Sequence, residues 1–186
     1  MRDAGEVLGF LVAAAIVLPP VDVPADYQLG SAYPPPPGVG VIARDWRDDP
    51  VAGTYGICYV NGFQTQPEHR RWWLRVHPGL VLRRAGKVVA DPAWPEEMLL
   101  DTRSPAKRTR IARVVSRWVD ECARKGFDAV EADNLDSWTR SRGLLERRDN
   151  RALARLLADR AHARGLAFAQ KNAASLTGVR FFDFAV

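Results

Sequence analysis

The sequence predicts an α/β fold built on a parallel sheet, and two observations carry that reading. First, an amphipathic helical pattern followed by a single Gly, an apolar strand and a polar tip occurs twice in the second half of the chain. The two units enter their strands at Gly126 and Gly165, 39 residues apart, and end at Asn134 and Asn172, 38 apart. That is the pitch of a strand–helix repeat, and parallel strands need such crossovers. Second, polar residues gather where the apolar strands end, the edge at which parallel sheets place their sites. No glycine-rich phosphate loop follows any strand, so a nucleotide-binding sheet is disfavoured.

Each element has its own local reason. Gly9 to Leu18 is an apolar run with the length of a signal-peptide core, too short to span a bilayer comfortably. Residues 1–20 read first as a secretory signal or N-terminal hydrophobic segment; a membrane tether and a helix packed on the domain are the alternatives. Residues 21–186 are expected to form one domain. Strand-like runs at Asp26 to Gly30 and Val39 to Arg44 flank the loop Tyr33-Pro34-Pro35-Pro36-Pro37-Gly38, whose prolines exclude helix and central strand. A third run, Tyr55 to Val60, ends in the polar residues Asn61, Gly62 and Gln64.

From Pro105 to Lys125 the apolar residues Ile111, Val114, Val115, Trp118, Val119 and Cys122 recur at steps of three and four, one face of a helix. Ser104 suits the N-cap, Pro105 the first helical position and Gly126 the stop. A second helix is expected from about Asp149 to Arg164, with Leu153, Leu156, Leu157 and Ala161 on one face. A strand follows each helix, and a last run spans Phe181 to Val186. The total is about six strands, where a closed barrel needs eight.

The bulk numbers fit a soluble domain: 186 residues, 47% hydrophobic and 26% charged. The net charge of +5 comes from basic residues scattered without a block of five or six, so a solvated basic surface is preferred to a nucleic-acid footprint. Six Trp suit stacking on sugar rings as well as core packing. Cys58 and Cys122 lie in an apolar strand and on a helical stripe, with no CxxC spacing. Two buried thiols are the default, and a single bridge stays open for a secreted chain.

The densest polar cluster is Glu131-Ala132-Asp133-Asn134-Leu135-Asp136. Glu131 and Asp133 share a strand face, about 6.6 Å apart along the backbone. Three carboxylates at one strand tip repel, a cost met by ion pairs, a metal or catalysis. Glycoside hydrolysis needs two carboxyl groups; solvated acids and a helix cap are the plain alternative. His69, His77 and His162 lie in separate segments and make no zinc-type set, so no metal and no other cofactor is expected. No serine has the nucleophile-elbow context of a serine hydrolase. Lys171 could pair with a catalytic carboxylate and Asn172 could bind a sugar hydroxyl; structural pairing would use both residues equally well.

Taken in order, Tyr27 to Gly30, Ile57 to Asn61, Trp94 to Glu97 with Leu100-Asp101, Gly126 to Asp136, Ala161 to Leu166, Gln170 to Asn172 and Phe182 to Val186 resemble the endo-α-1,4-polygalactosaminidase family of glycoside hydrolases. The match covers about residues 26–186. It implies a (β/α)8 TIM-barrel-type glycosidase fold, incomplete here at about six strands. It also implies hydrolysis of α-1,4-glycosidic bonds in galactosamine-containing extracellular polysaccharide, by a secreted protein with no nucleic-acid or stable membrane partner. Asp133 is the expected catalytic carboxylate, with Glu131 beside it. Asp136, Asp45, Tyr27, Asn61, Lys171 and Asn172 are expected to bind substrate from the strand ends. Partly deacetylated galactosamine is cationic, so an acidic cleft would attract it even in a basic protein.

In the family, the strand matching Phe182 to Val186 runs on into a Glu-bearing segment that supplies the second carboxyl. The sequence stops at Val186, so weak activity is the expectation for residues 1–186 alone. A non-catalytic sugar-binding remnant, and behind it an Arg-rich binder of anionic polymers, are the rival readings.

Overall fold

A computed structural model describes residues 15–186. The hydrophobic segment expected over residues 1–20 lies outside the described residues as far as position 14. Six strands form one parallel sheet: β1 (Ala25–Gln28), β2 (Val41–Asp45), β3 (Tyr55–Asn61), β6 (Ala129–Asp133), β7 (Ala167–Gln170) and β8 (Phe184–Ala185), hydrogen-bonded in that order. The order never doubles back, as in a barrel wall, and the sheet curls into a half-barrel of TIM-barrel type. This agrees with the six-strand, incomplete-barrel expectation.

Helix α2 (Pro105–Lys125) joins β3 to β6, and helix α3 (Arg147–His162) joins β6 to β7. The predicted local signals hold. Ser104 caps α2 by accepting the Lys107 backbone N–H at 3.3 Å, and Gly126 ends it at a φ of 88° that favours glycine. The other connections in the sheet are loops, so full helical crossovers serve two of its five joins. Two elements lie outside the predicted pattern. These are a short helix α1 (Arg70–Val76) and a hairpin of β4 (Arg83–Arg84) with β5 (Lys87–Val88), both in the excursion between β3 and α2.

Register decides what each sheet face carries. Ala43, Ile57, Ala129 and Ala167 are level neighbours, as are Asp45, Tyr59, Glu131 and Ala169 one step further along the strands. Because side chains alternate, these two rows share the inner, concave face. Lower down, the row is apolar and small, with Val41, Tyr55 and Phe184 completing the packing. Towards the strand ends it becomes polar. The outer face carries Cys58, Val60, Val130, Ala132 and Phe168, which pack under the stripes of α2 and α3 in the main core.

This two-sided arrangement corrects the reading of the cysteines as free thiols. Cys58 points outward from β3 and Cys122 lies on the buried stripe of α2. The helix lies across that strand, and the two residues are joined as a disulfide with Cα atoms 5.9 Å apart. It also sorts the tryptophans. Trp73 is fully buried, and Trp46, Trp72, Trp118 and Trp138 pack partly buried against the main core. Trp46 and Trp118 stack on each other and on His69, with ring centroids 5.6–5.8 Å apart. The remaining one, Trp94, is 66% exposed.

Candidate active site

The inner face can supply the chemistry because on β2, β3 and β6 the apolar row Ala43, Ile57 and Ala129 gives way to Asp45, Tyr59 and Glu131 before the strands end. On β6, alternation sends both Glu131 and Asp133 inward, and the two meet different surroundings.

Glu131 is fully buried. Its Oε2 accepts the Tyr27 hydroxyl at 2.6 Å, and Lys171 Nζ lies 2.8 Å from its Oε1. The Lys171 ammonium also sits over the Tyr27 ring, 4.6 Å from its centroid, a cation–π contact. Burial pushes the Glu131 carboxyl above the usual range, and the bonds from Lys171 and Tyr27 pull against it. The Tyr27 hydroxyl is pushed far up, first by burial and then by Glu131, and stays a donor. The three groups bind one another across the tips of β1, β6 and β7.

Asp133 sits one step further out and is only partly buried. Three donors from three strand tips converge on it. Tyr59 of β3 donates to Oδ2 at 2.8 Å. The Asn172 amide, past β7, donates to Oδ1 at 2.8 Å, and the Asn134 backbone N–H donates to the same oxygen at 2.7 Å. Asn134 and Asn172 take left-handed φ values of 65° and 59°, the turn that aims these groups back at the carboxylate. Burial and then Asp133 push the Tyr59 hydroxyl far above its ordinary range, so it too remains a donor. Among the described residues no Lys or Arg is ion-paired with Asp133.

Asp133 opens on a cavity of about 460 Å³, lined by Asp45, Tyr59, Trp94, Glu97 and Asn134 among others. Asp45 also lines it, buried and held by the Arg47 guanidinium at 2.6 Å and by the Gln66 amide. Gln66 in turn accepts the Trp46 indole N–H at 3.1 Å. Asn61 is fully buried behind the cavity; its amide donates to Glu97 Oε2 at 2.9 Å and its oxygen accepts from Asn134 at 3.0 Å. Thus Asp45 shares the cavity with Asp133, Asn61 supports its wall, and Asn172 touches Asp133 directly. Tyr27 and Lys171 are committed to Glu131. Asp136 stands apart: it lines a neighbouring cavity of about 470 Å³ with Lys171 and Asn172, and Arg140 lies 3.0 Å from it.

Glu97 is a candidate site residue that pattern reading does not reach, since it lies in an irregular segment with no strand to number it. Burial raises its carboxyl above the usual range; the Asn61 bond opposes the shift, and the Asp133 charge adds to it. Asn150 is a second omission. Fully buried on α3, it donates to Leu135 O and Ser137 Oγ at 2.8 Å and accepts from Thr102 at 2.7 Å, fixing the loop after β6. Its only sequence signal was a polar residue on an apolar stripe.

Chemically, the cavity places two carboxyl groups of different character near one another. One is centred by donors and the other is raised by burial, a division that acid–base hydrolysis of an acetal can use. Among the described residues no three His, Cys, Asp or Glu are grouped to hold a metal ion.

Among curated sequences no relative matches. Among solved structures, the chain is similar to Ega3 of Aspergillus fumigatus in complex with galactosamine, at a TM-score of 0.66 and 23% identity over 86% of this chain. It is also similar to a variant of the glycoside hydrolase domain of PelA from Pseudomonas aeruginosa, at a TM-score of 0.53 and 16% identity over 83% of this chain. The chain spans 63% of the length of each. At these identities the likeness is one of fold. The family model for glycoside-hydrolase family GH114 matches residues 11–186. With nearly its whole length matched, and with carboxyl groups at the strand ends of a half-barrel, the chain belongs to glycoside-hydrolase family GH114.

Proposed function

We propose that this protein hydrolyses α-1,4-glycosidic bonds in a galactosamine-containing extracellular polysaccharide, with Asp133 as the carboxylate on which turnover depends. The observation that carries the reading is the centring of Asp133 by Tyr59, Asn134 and Asn172 at the mouth of an open cavity. A group held by three donors from separate strands keeps its place as charge develops on a substrate, and such preorganisation is a principal source of catalysis. Glu131 is sealed by Tyr27 and Lys171 and supports the site from behind. Glu97 shares the cavity and, raised by burial, is the carboxyl there suited to hold a proton. The cavity walls are acidic at Asp45, Glu97 and Asp133, which suits a polymer bearing free amines. The bound galactosamine of the structurally similar Ega3 complex supports the choice of sugar. A disulfide suits a secreted protein, since such bonds persist in oxidising compartments.

The test is mass spectrometry of soluble products after incubation with a partly deacetylated α-1,4-galactosamine polymer. Wild type is expected to release oligosaccharides, and Asp133→Asn to lose at least about a hundred-fold in rate. Equal product from both proteins would move the reactive carboxylate elsewhere. Binding without products from wild type would make this a carbohydrate-binding protein.

A further inference from the structure

Five of the six tryptophans pack against the core, and Trp94 does not. Its indole, 66% exposed, stands at the lip of the cavity that holds Asp133 and Glu97. The backbone beneath it is fixed. Asp91, 2% exposed, accepts the Ala93 and Trp94 backbone N–H groups at 2.8 and 3.3 Å. Asp91 is itself held by the Gln64 amide at 2.8 Å and by Arg140 at 2.6 Å. The turn closes twice more, Asp91 N–H to Glu97 O at 2.9 Å and Glu97 N–H to Trp94 O at 2.8 Å. Pro92 and Pro95 stiffen it on either side of the tryptophan. A large apolar ring is thus exposed on a rigid turn, and the same turn carries the Glu97 carboxyl.

We infer that Trp94 is the floor of a sugar subsite and the residue by which this cleft prefers galacto- over gluco-configured amino sugars. The inference rests on the proposed glycosidase reading. In a galacto-configured pyranose the axial O4 leaves the hydrogens on C3, C4 and C5 together on one face. That face is apolar and continuous, and it matches a flat indole. In the gluco isomer O4 is equatorial, and neither face offers so continuous a patch. An aromatic platform is positive at its edge and negative at its face, so it favours these C–H groups. With a ring on Trp94, Glu97 and Asp133 lie within the same cavity, where an amine on C2 or a hydroxyl can meet a carboxyl group. Because the turn is already closed, little ordering cost falls on binding.

The experiment is calorimetric titration of wild type, Trp94→Phe and Trp94→Ala with an α-1,4-linked galactosamine tetrasaccharide, with methyl α-galactosaminide and methyl α-glucosaminide as competitors. Trp94→Ala is expected to weaken tetrasaccharide binding about ten-fold, the scale of one lost aromatic contact. It is also expected to erase the difference between the two competitors. Trp94→Phe keeps a ring and is expected to keep most of the affinity and the preference. Equal melting temperatures would show that these exposed-site variants are folded. If wild type binds the tetrasaccharide and Trp94→Ala binds it equally well, or keeps the same preference between competitors, the subsite is overturned and the glycosidase reading stands. If wild type binds no galactosamine ligand, the subsite falls together with the reading beneath it.

Discussion

At the tip of β6, two carboxyl groups two residues apart are placed for different work. Glu131 has a counterion and no access; Asp133 has donors and access. Spacing on a strand could put both on one face, but not say which would be sealed, because the sealing groups come from β1 and from beyond β7. The nearby Glu97 has a testable consequence. Its native-state carboxyl is raised above an ordinary value of 4.5, so the folded chain holds that proton longer than the unfolded chain does. The stability it contributes is fully present below about 4.5 and is lost as pH rises through the raised value. Glu97→Gln, which cannot ionise, is therefore expected to melt closest to wild type, or below it, near pH 4 and to gain on it as pH climbs toward 7. Thermal melts of the two proteins across that range check the sign; a difference that stays flat would contradict the raised carboxyl.

Among the elements, legibility follows length and capping. Helix α2 has 21 residues, a capped start and a glycine stop, so its stripe could be counted over many turns. Its stop can be tested. A Cβ at Gly126 meets no neighbour, but the φ of 88° disfavours any side chain, so Gly126→Ala is expected to cost about 1–2 kcal/mol in denaturant unfolding. Helix α3 was anticipated within two residues at each end. It begins at Arg147, where the Asp149 carboxylate accepts the Glu146 backbone N–H at 3.4 Å. Helix α1 escaped notice because seven residues hold too few repeats to show a period, and its adjacent Trp72 and Trp73 mask any stripe. The β4–β5 hairpin left a fainter trace. Its two-residue turn, Ala85-Gly86, runs at φ values of 47° and 79°, and an alanine there lacks the usual Asn or Asp signature.

For the whole molecule, the sequence conveyed the parallel order and the polar rim, both of which repeat, but not the long-range pairings, which do not. The link between Cys58 and Cys122 is such a pairing, and it staples α2 to the centre of the sheet across 64 residues. Replacing both cysteines by alanine is expected to lower stability by about 4 kcal/mol, as the unfolded chain regains the freedom of that loop. Melting of the double variant beside wild type without reductant measures it, and an unchanged melting temperature would exclude a stabilising bridge. The centring of Asp133 has a wider consequence. Its three donors are spaced from residue 59 to residue 172, so no short stretch of chain carries the site. The proposed catalysis should therefore work as an alarm for the fold. Mild heat or denaturant that loosens any one of three strand tips would silence turnover while the helices still give a native-looking circular dichroism spectrum.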